Sequence, residues 1–301
     1  MHLVRYVADD GTAPCVGVRD DDGGLCALPY ASMATALRLP LSGLRAACSA
    51  ANTPVPGEVR LLPPIDGRTE VWAAGVTYRR SREARMQESD IADVYARVYE
   101  AERPELFLKS VAWRVVTDGD PIGIRADSGL DVPEPELALV ANAAGEVVGY
   151  TVCNDVSSRS IEGENPLYLP QAKVYAGACA LAPGIRPVWE LPDATDLAIS
   201  CLVLRDGAVA WSGRTSTADM RRRPDELLSW LYRQDYYPDG AVLSTGTGLV
   251  PDLDITLHEG DRVDIEIAGV GRLRNEVALG IAPFAWLAQR DALPEPTGAP
   301  A

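Results

Sequence analysis

The stretch whose reading decides the fold runs Asp131-Val-Pro-Glu134-Pro-Glu136-Leu-Ala-Leu-Val140, then Ala-Asn-Ala-Ala-Gly145-Glu146-Val-Val-Gly-Tyr150-Thr-Val-Cys-Asn154-Asp155-Val-Ser-Ser-Arg159-Ser160. Two apolar runs flank a Gly-containing break, the pattern of a β-hairpin. Glu134 and Glu136 are two residues apart, so on a strand they leave the same face. With the turn centred between Gly145 and Glu146, Glu136 lies opposite Asp155 and Glu134 becomes its diagonal neighbour. Opposed residues share a face with Cβ atoms roughly 5 Å apart. Three carboxylates therefore converge on one side of one hairpin. Like charges at that spacing repel unless neutralised, and a hard divalent cation neutralises them well. The alternative is that one or more of them faces solvent, and a single-residue bulge would break the geometry.

Outward from the hairpin, strands dominate. Leu202 to Trp211 reads as a hairpin on an Asp206-Gly207 turn. Val263, Ile265 and Ile267 alternate with Asp264 and Glu266, as on a half-buried strand. Before residue 65, Val16-Gly17-Val18 and Leu25-Cys26-Ala27-Leu28 are joined by an Asp/Gly break at 20–24. A short helix fits 31–50, and Pro54, Pro56, Pro63 and Pro64 mark a linker. Ile91, Val94, Tyr95 and Val98 recur at helical spacing over 81–103, ending at Pro104. That helix reads either as part of a lid or as an ordinary amphipathic surface helix. A second helix fits Pro224 to Arg233.

The hairpin stretch resembles the fumarylacetoacetate hydrolase family, whose pattern is Glu-x-Glu followed by Gly-Tyr-Thr…Asn-Asp-Val-Ser-x-Arg. Here these are Glu134-Pro-Glu136 and Gly149-Tyr150-Thr151 through Asn154-Asp155-Val156-Ser157-Ser158-Arg159. Gly75-Val76-Thr77-Tyr78, the 243–250 loop, Glu259-Gly260-Asp261 and 269–277 match further motifs in order, over roughly residues 65 to 282. The resemblance implies an α+β, mainly β fold, with a mixed β-roll core and a small N-terminal α/β domain. We place that domain at 1–65, a catalytic domain at 66–290 and a flexible tail at 291–301. It also implies a homodimer, and Mg²⁺ or Mn²⁺ bound by Glu134, Glu136 and Asp155.

Ser157 to Tyr175, with Gly75 to Arg85, is similar to the family's dehydratases of 2-keto-3-deoxy sugar acids, of which the 2-keto-3-deoxy-D-arabinonate enzymes are the best-known type. Water would leave through a metal-stabilised enolate, giving 2,5-dioxopentanoate. Lys173 is then the expected base or proton donor, with Glu162 and Glu164 as rival acid–base groups. Arg159, Gln171, Thr247, Tyr78 and Lys109 are the expected substrate contacts; each also has a structural reading, an ion pair for Arg159 and a tight turn for Thr247. Ser160 and Ala176 stand where similar dehydratases carry Asp, and Ala182 replaces a glycine. The family's C–C hydrolases carry a histidine near the position of Ser81, so a His-driven hydrolase is disfavoured. The alternatives are another reaction on a 2-oxo acid (decarboxylation, tautomerisation, C–C hydrolysis) or a ligand-binding homologue without turnover.

Composition narrows the rest. The net charge of −15 over 301 residues argues against nucleic acid or an anionic membrane as partner. The six cysteines form no CxxC pair and suit buried thiols. Two histidines, His2 and His258, leave no His-rich metal site, and His258 fits a surface turn. No signal peptide and no long apolar run is visible, so a cytoplasmic protein is expected, and the resemblance implies a small 2-oxo acid as its substrate.

Overall fold

The computed structural model describes residues 1–8, 13–88 and 92–289. The 291–301 tail and Ile91 lie outside the described residues, as do the side chains of Val94 and Tyr95. The hairpin forms as expected: Pro135–Ala141 pairs antiparallel with Val147–Asp155. It is the middle of a 12-stranded sheet that runs, on one side, through Ala241–Ser244 and Glu70–Gly75 to Glu105–Val111. On the other side Gly184–Pro187 leads to His2–Ala8. Nearly every residue of the two hairpin strands is buried, the mark of strands covered on both faces.

One face packs Leu137, Leu139 and Val152 against a five-stranded sheet carrying Ile199, Val203, Val263 and Ile265. The other packs Ala138, Val140 and Val148 against Met33, Leu37 and Leu44. Met33 and Leu44 sit on two short helices, Met33–Ala36 and Leu41–Ala50, with Leu37 capping the first; there are two rather than one because Pro40 interrupts the run and opens the second helix.

The 54–64 linker needs correction. Its prolines punctuate the chain, but Val59–Leu62 between them pairs with His2–Ala8 over four residues. The 81–103 stretch divides into Arg79–Glu88 and Ala92–Glu100. The Asp206-Gly207 turn has φ of 52° and 76°, both left-handed, as a tight hairpin needs. Pro224–Leu231 is helical with Leu227, Leu228 and Leu231 buried. All six cysteines are free thiols.

Candidate active site

Glu134, Glu136 and Asp155 converge, each buried, with one oxygen from each lying within 4.8 Å of the others. The register differs from the expected one. Glu136 faces Cys153, and it is Glu134 that meets Asp155, whose N–H donates to the Glu134 carbonyl at 2.9 Å. The turn closes earlier, with the Asn142 N–H bonding the Glu146 carbonyl, and the strand bulges at Val148 between the pairs Val140–Gly149 and Ala141–Val147. The bulge is what saves the site. Had the same residues paired on from the turn without that bulge, Asn154 would lie opposite Glu134 and Asp155 would turn to the other face.

Each carboxylate is held differently. Glu134 accepts from Arg159 Nη2 at 2.8 Å and from Lys173 Nζ at 2.7 Å. Asp155 pairs with Lys109 at 2.5 Å and Lys173 at 3.3 Å. Glu136 has neutral donors only: Ser244 Oγ at 2.6 Å and the Gly246 N–H at 2.8 Å, both on Oε2. Burial first, then the charges of Asp155 and Glu134, push the Glu136 carboxyl well above the usual carboxylate range. Among the described residues no cation is paired with Glu136, and its side chain lines a cavity. Three hard oxygen donors, one without a countercharge, fit a divalent cation of the Mg²⁺ type.

That cavity measures about 20 Å³, room for about one water. Lys173, Glu162, Ser81 and Thr247 line it, and so do Glu105 and Phe107, which the sequence reading missed. Glu105 enters over Gly75, where a Cβ would come within 2.1 Å of its Oε2. The apolar run Leu106-Phe107-Leu108 after Pro104 marks this strand, but nothing local says that Glu105 faces inward. Ser244, also missed, is a lone hydroxyl in the buried Ala241–Ser244 strand. Larger grooves, about 720 Å³ on the outer face of the five-stranded sheet and about 510 Å³ beside Arg5 and Trp286, lie away from these carboxylates.

The other expected residues fall into two groups. Tyr78 is buried close to Glu136; among the described residues its hydroxyl has no hydrogen-bond partner, and burial raises it far above the usual phenol range, with the Glu136 charge adding to the shift. Thr247 Oγ donates to the Pro135 and Leu249 carbonyls, the tight-turn role, while lining the cavity. Arg159 makes the ion pair to Glu134. Glu164 and Gln171 are exposed and do not line the cavity. Ser81, at the place of the hydrolases' histidine, donates to the Tyr78 carbonyl at 2.8 Å, and His258 is exposed.

The profile described as "Fumarylacetoacetate (FAA) hydrolase C-terminal" matches residues 70–278. The chain belongs to the fumarylacetoacetate hydrolase family. It is 52% identical over 214 residues to a "Probable 2-keto-3-deoxyxylonate dehydratase" of Haloferax volcanii, covering 71% of this chain and 73% of that one. It is 42% identical over 221 residues to the 2-dehydro-3-deoxy-D-arabinonate dehydratase of Saccharolobus solfataricus, covering 72% and 74%. A solved structure of 2-keto-3-deoxy-D-arabinonate dehydratase complexed with magnesium and 2,5-dioxopentanoate superposes with a TM-score of 0.81 at 34% identity, covering 93% of this chain and 99% of that one. The family's fold, a strand-dominated α/β architecture, is thus the fold of this chain.

Proposed function

We propose that this member of the fumarylacetoacetate hydrolase family is a Mg²⁺-dependent hydro-lyase that removes water from a 2-keto-3-deoxy sugar acid. The observation that carries the reading is the buried Glu134–Glu136–Asp155 cluster with the Lys173 amine at its edge. It stands beside two dehydratase relatives and a magnesium-bound dehydratase of the same fold. Glu134, Glu136 and Asp155 would hold the ion, which supplies Lewis-acid polarisation of the substrate's carboxylate and 2-oxo oxygens.

The chain's own groups then handle protons and water. Lys173, placed by hydrogen bonds to Glu134, Asp155 and Ser157, is the group we assign to move the C3 proton. Glu162 and Glu105 line the same cavity, and either is placed to protonate the departing C4 hydroxyl as water. The unsaturated keto acid left behind shifts a proton from C5 to C3 to give the C4=C5 enol, whose hydroxyl proton then moves to C4 to leave the aldehyde 2,5-dioxopentanoate. Arg159 orients Glu134, and Phe107, whose ring centroid is 5.7 Å from Lys173 Nζ, limits water on that side. A cavity of about 20 Å³ does not admit a five-carbon acid, so the segments around it must open for turnover. The homodimer and the cytoplasmic setting belong to this proposal through the family resemblance; among the described residues no helix is long and apolar enough to cross a membrane.

¹H NMR on 2-keto-3-deoxypentonates, with Mg²⁺ and with EDTA, tests the reading. The expected result is an aldehyde proton that appears only with metal and is lost in Lys173→Ala. Intact substrate whose C3 protons exchange with D₂O would keep the 2-oxo acid chemistry and replace the dehydration.

A further inference from the structure

Lys109 stands in an unusual place. Its strand, Glu105–Val111, pairs with Glu70–Gly75, and the register steps from Leu108–Trp72 to Ser110–Val71. Lys109 is the residue left over, the bulged one, and a bulge beside a site re-aims the side chain that it carries. That side chain is completely buried. Its Nζ lies 2.5 Å from Asp155 Oδ1 and donates to the Val156 carbonyl at 2.9 Å and to the Lys173 carbonyl at 2.6 Å. Two of the ammonium's three N–H donors go to main-chain carbonyls, and its charge sits against the Asp155 carboxylate as a fully buried ion pair.

We infer that Lys109 is a positioning residue, not a substrate contact: it fixes the Asp155 carboxylate and the main chain of Lys173 to one point. This rests on the metal reading of the carboxylate cluster and deepens it. The end of the Val147–Asp155 strand carries the proposed ligand, and the last residue of the Leu169–Lys173 helix carries the proposed proton carrier. Besides Lys109, the 3.3 Å contact between Lys173 Nζ and Asp155 Oδ2 joins the two, and the Lys173–Ser157 hydrogen bond holds the helix just past the strand's end, both made by the reacting amine itself. Lys109 ties the same two elements through groups that take no part in the chemistry. Loss of such a partner behind a metal ligand typically costs ~10–100-fold in metal affinity or activity.

The test uses the full chain and Mn²⁺ as the probe, titrated by the EPR signal of the free ion, on wild type, Lys109→Met, Asp155→Asn and the double variant. The expected result is a ~10–100-fold weaker Mn²⁺ affinity in Lys109→Met. With saturating metal, kcat should fall while KM for the 2-keto-3-deoxypentonate stays within about twofold. In the Asp155→Asn background, Lys109→Met should add nothing further to the loss of Mn²⁺ affinity, because it acts through Asp155. The double variant removes the Asp155 carboxylate together with its cation, so it should fold even if Lys109→Met alone does not. An unchanged Mn²⁺ affinity with a raised KM would make Lys109 a substrate contact and overturn the inference. A double variant that fails to fold, or binds Mn²⁺ more weakly than Asp155→Asn, would overturn it too. If wild type binds no Mn²⁺, it is the metal reading itself that fails.

Discussion

Glu136 carries the electrostatic cost of the site. It is buried beside two carboxylates and holds only neutral donors. Replacing it by Gln keeps an oxygen for Ser244 and Gly246 and removes the repulsion. In EDTA, Glu136→Gln should therefore melt above wild type, by ~2–4 °C for each kcal/mol relieved in a chain of this size. Mn²⁺ should raise the melting temperature of wild type and leave the variant unmoved. A variant that melts lower in EDTA would mean that the cluster is already neutralised without metal. Asp131 gives a second reading at this scale. It is 3% exposed, one carboxylate oxygen has no hydrogen-bond partner, and burial pushes its carboxyl up to about 6 from 3.8. Because the folded value is the higher one, the fold holds this proton more tightly than the unfolded chain does. The group is harmless below about pH 4 and costs stability increasingly as pH rises from about 4 to about 6, by roughly 2–3 kcal/mol once ionised. Urea unfolding of wild type and Asp131→Asn at pH 4.5 and 7.5 should show the variant gaining on wild type at the higher pH. A constant difference would remove Asp131 from the pH dependence.

At the scale of elements, both ends of the 79–100 segment are fastened to one loop. The Arg221 N–H bonds the Thr77 carbonyl at 2.9 Å, just before Arg79–Glu88 begins. At the far end, Arg222 donates to the carbonyls of Val98, Ala101 and Glu102, and Arg221 to that of Tyr99. Ser81 of this segment lines the site cavity, so a movement of the segment that admits substrate would work against that clamp. Arg222→Ala should destabilise the protein by about 2 kcal/mol, since it removes charge-assisted bonds from a buried guanidinium. Amide exchange should quicken over 92–103, with a several-fold change in KM. Unchanged exchange there would mean that the segment is held from elsewhere. The same scale explains what the sequence can and cannot reveal. Alternation, the Gly-containing break and the 206–207 turn are local signals, and the hairpins, the Val263–Ile267 alternation and the convergence of three carboxylates were legible from them. The register was not, because it depends on where the turn closes and on a bulge at Val148 that no residue type announces. The inward aim of Glu105 and the bulge at Lys109 depend on the neighbouring strand Glu70–Gly75, about thirty residues away in the chain. The Val59–Leu62 strand was hidden for the opposite reason: prolines on either side suggested a linker, while its pairing partner is at the N-terminus.

Over the whole molecule, residues 1–65 and the family-matched 70–278 are built into one sheet. We propose residue 65 as a boundary of sequence and composition. Folding independence is a separate matter, and the packing argues against it. Leu3, Val16, Met33, Leu37, Leu44 and Ile65 are each at most 1% exposed, and they cover Ala138, Val140, Val148, Cys153 and Leu181, which continue along the sheet the same face that presents Glu136 and Asp155. At ~1.5–3 kcal/mol for each large apolar side chain, this contact is worth on the order of 10 kcal/mol, comparable to the net stability of a whole domain. Removing residues 1–65 would also strip Gly184–Pro187 of its partner strand His2–Ala8, leaving an open edge beside an exposed apolar face. The 66–289 fragment is therefore expected to be insoluble, or soluble with lost near-UV dichroism and no Mn²⁺ binding, even though it contains every proposed ligand. Co-expression of 1–65 as a separate chain should restore both signals. A 66–289 fragment that melts cooperatively and binds Mn²⁺ like the full chain would show that the site is supported by its own strands and the opposing sheet alone.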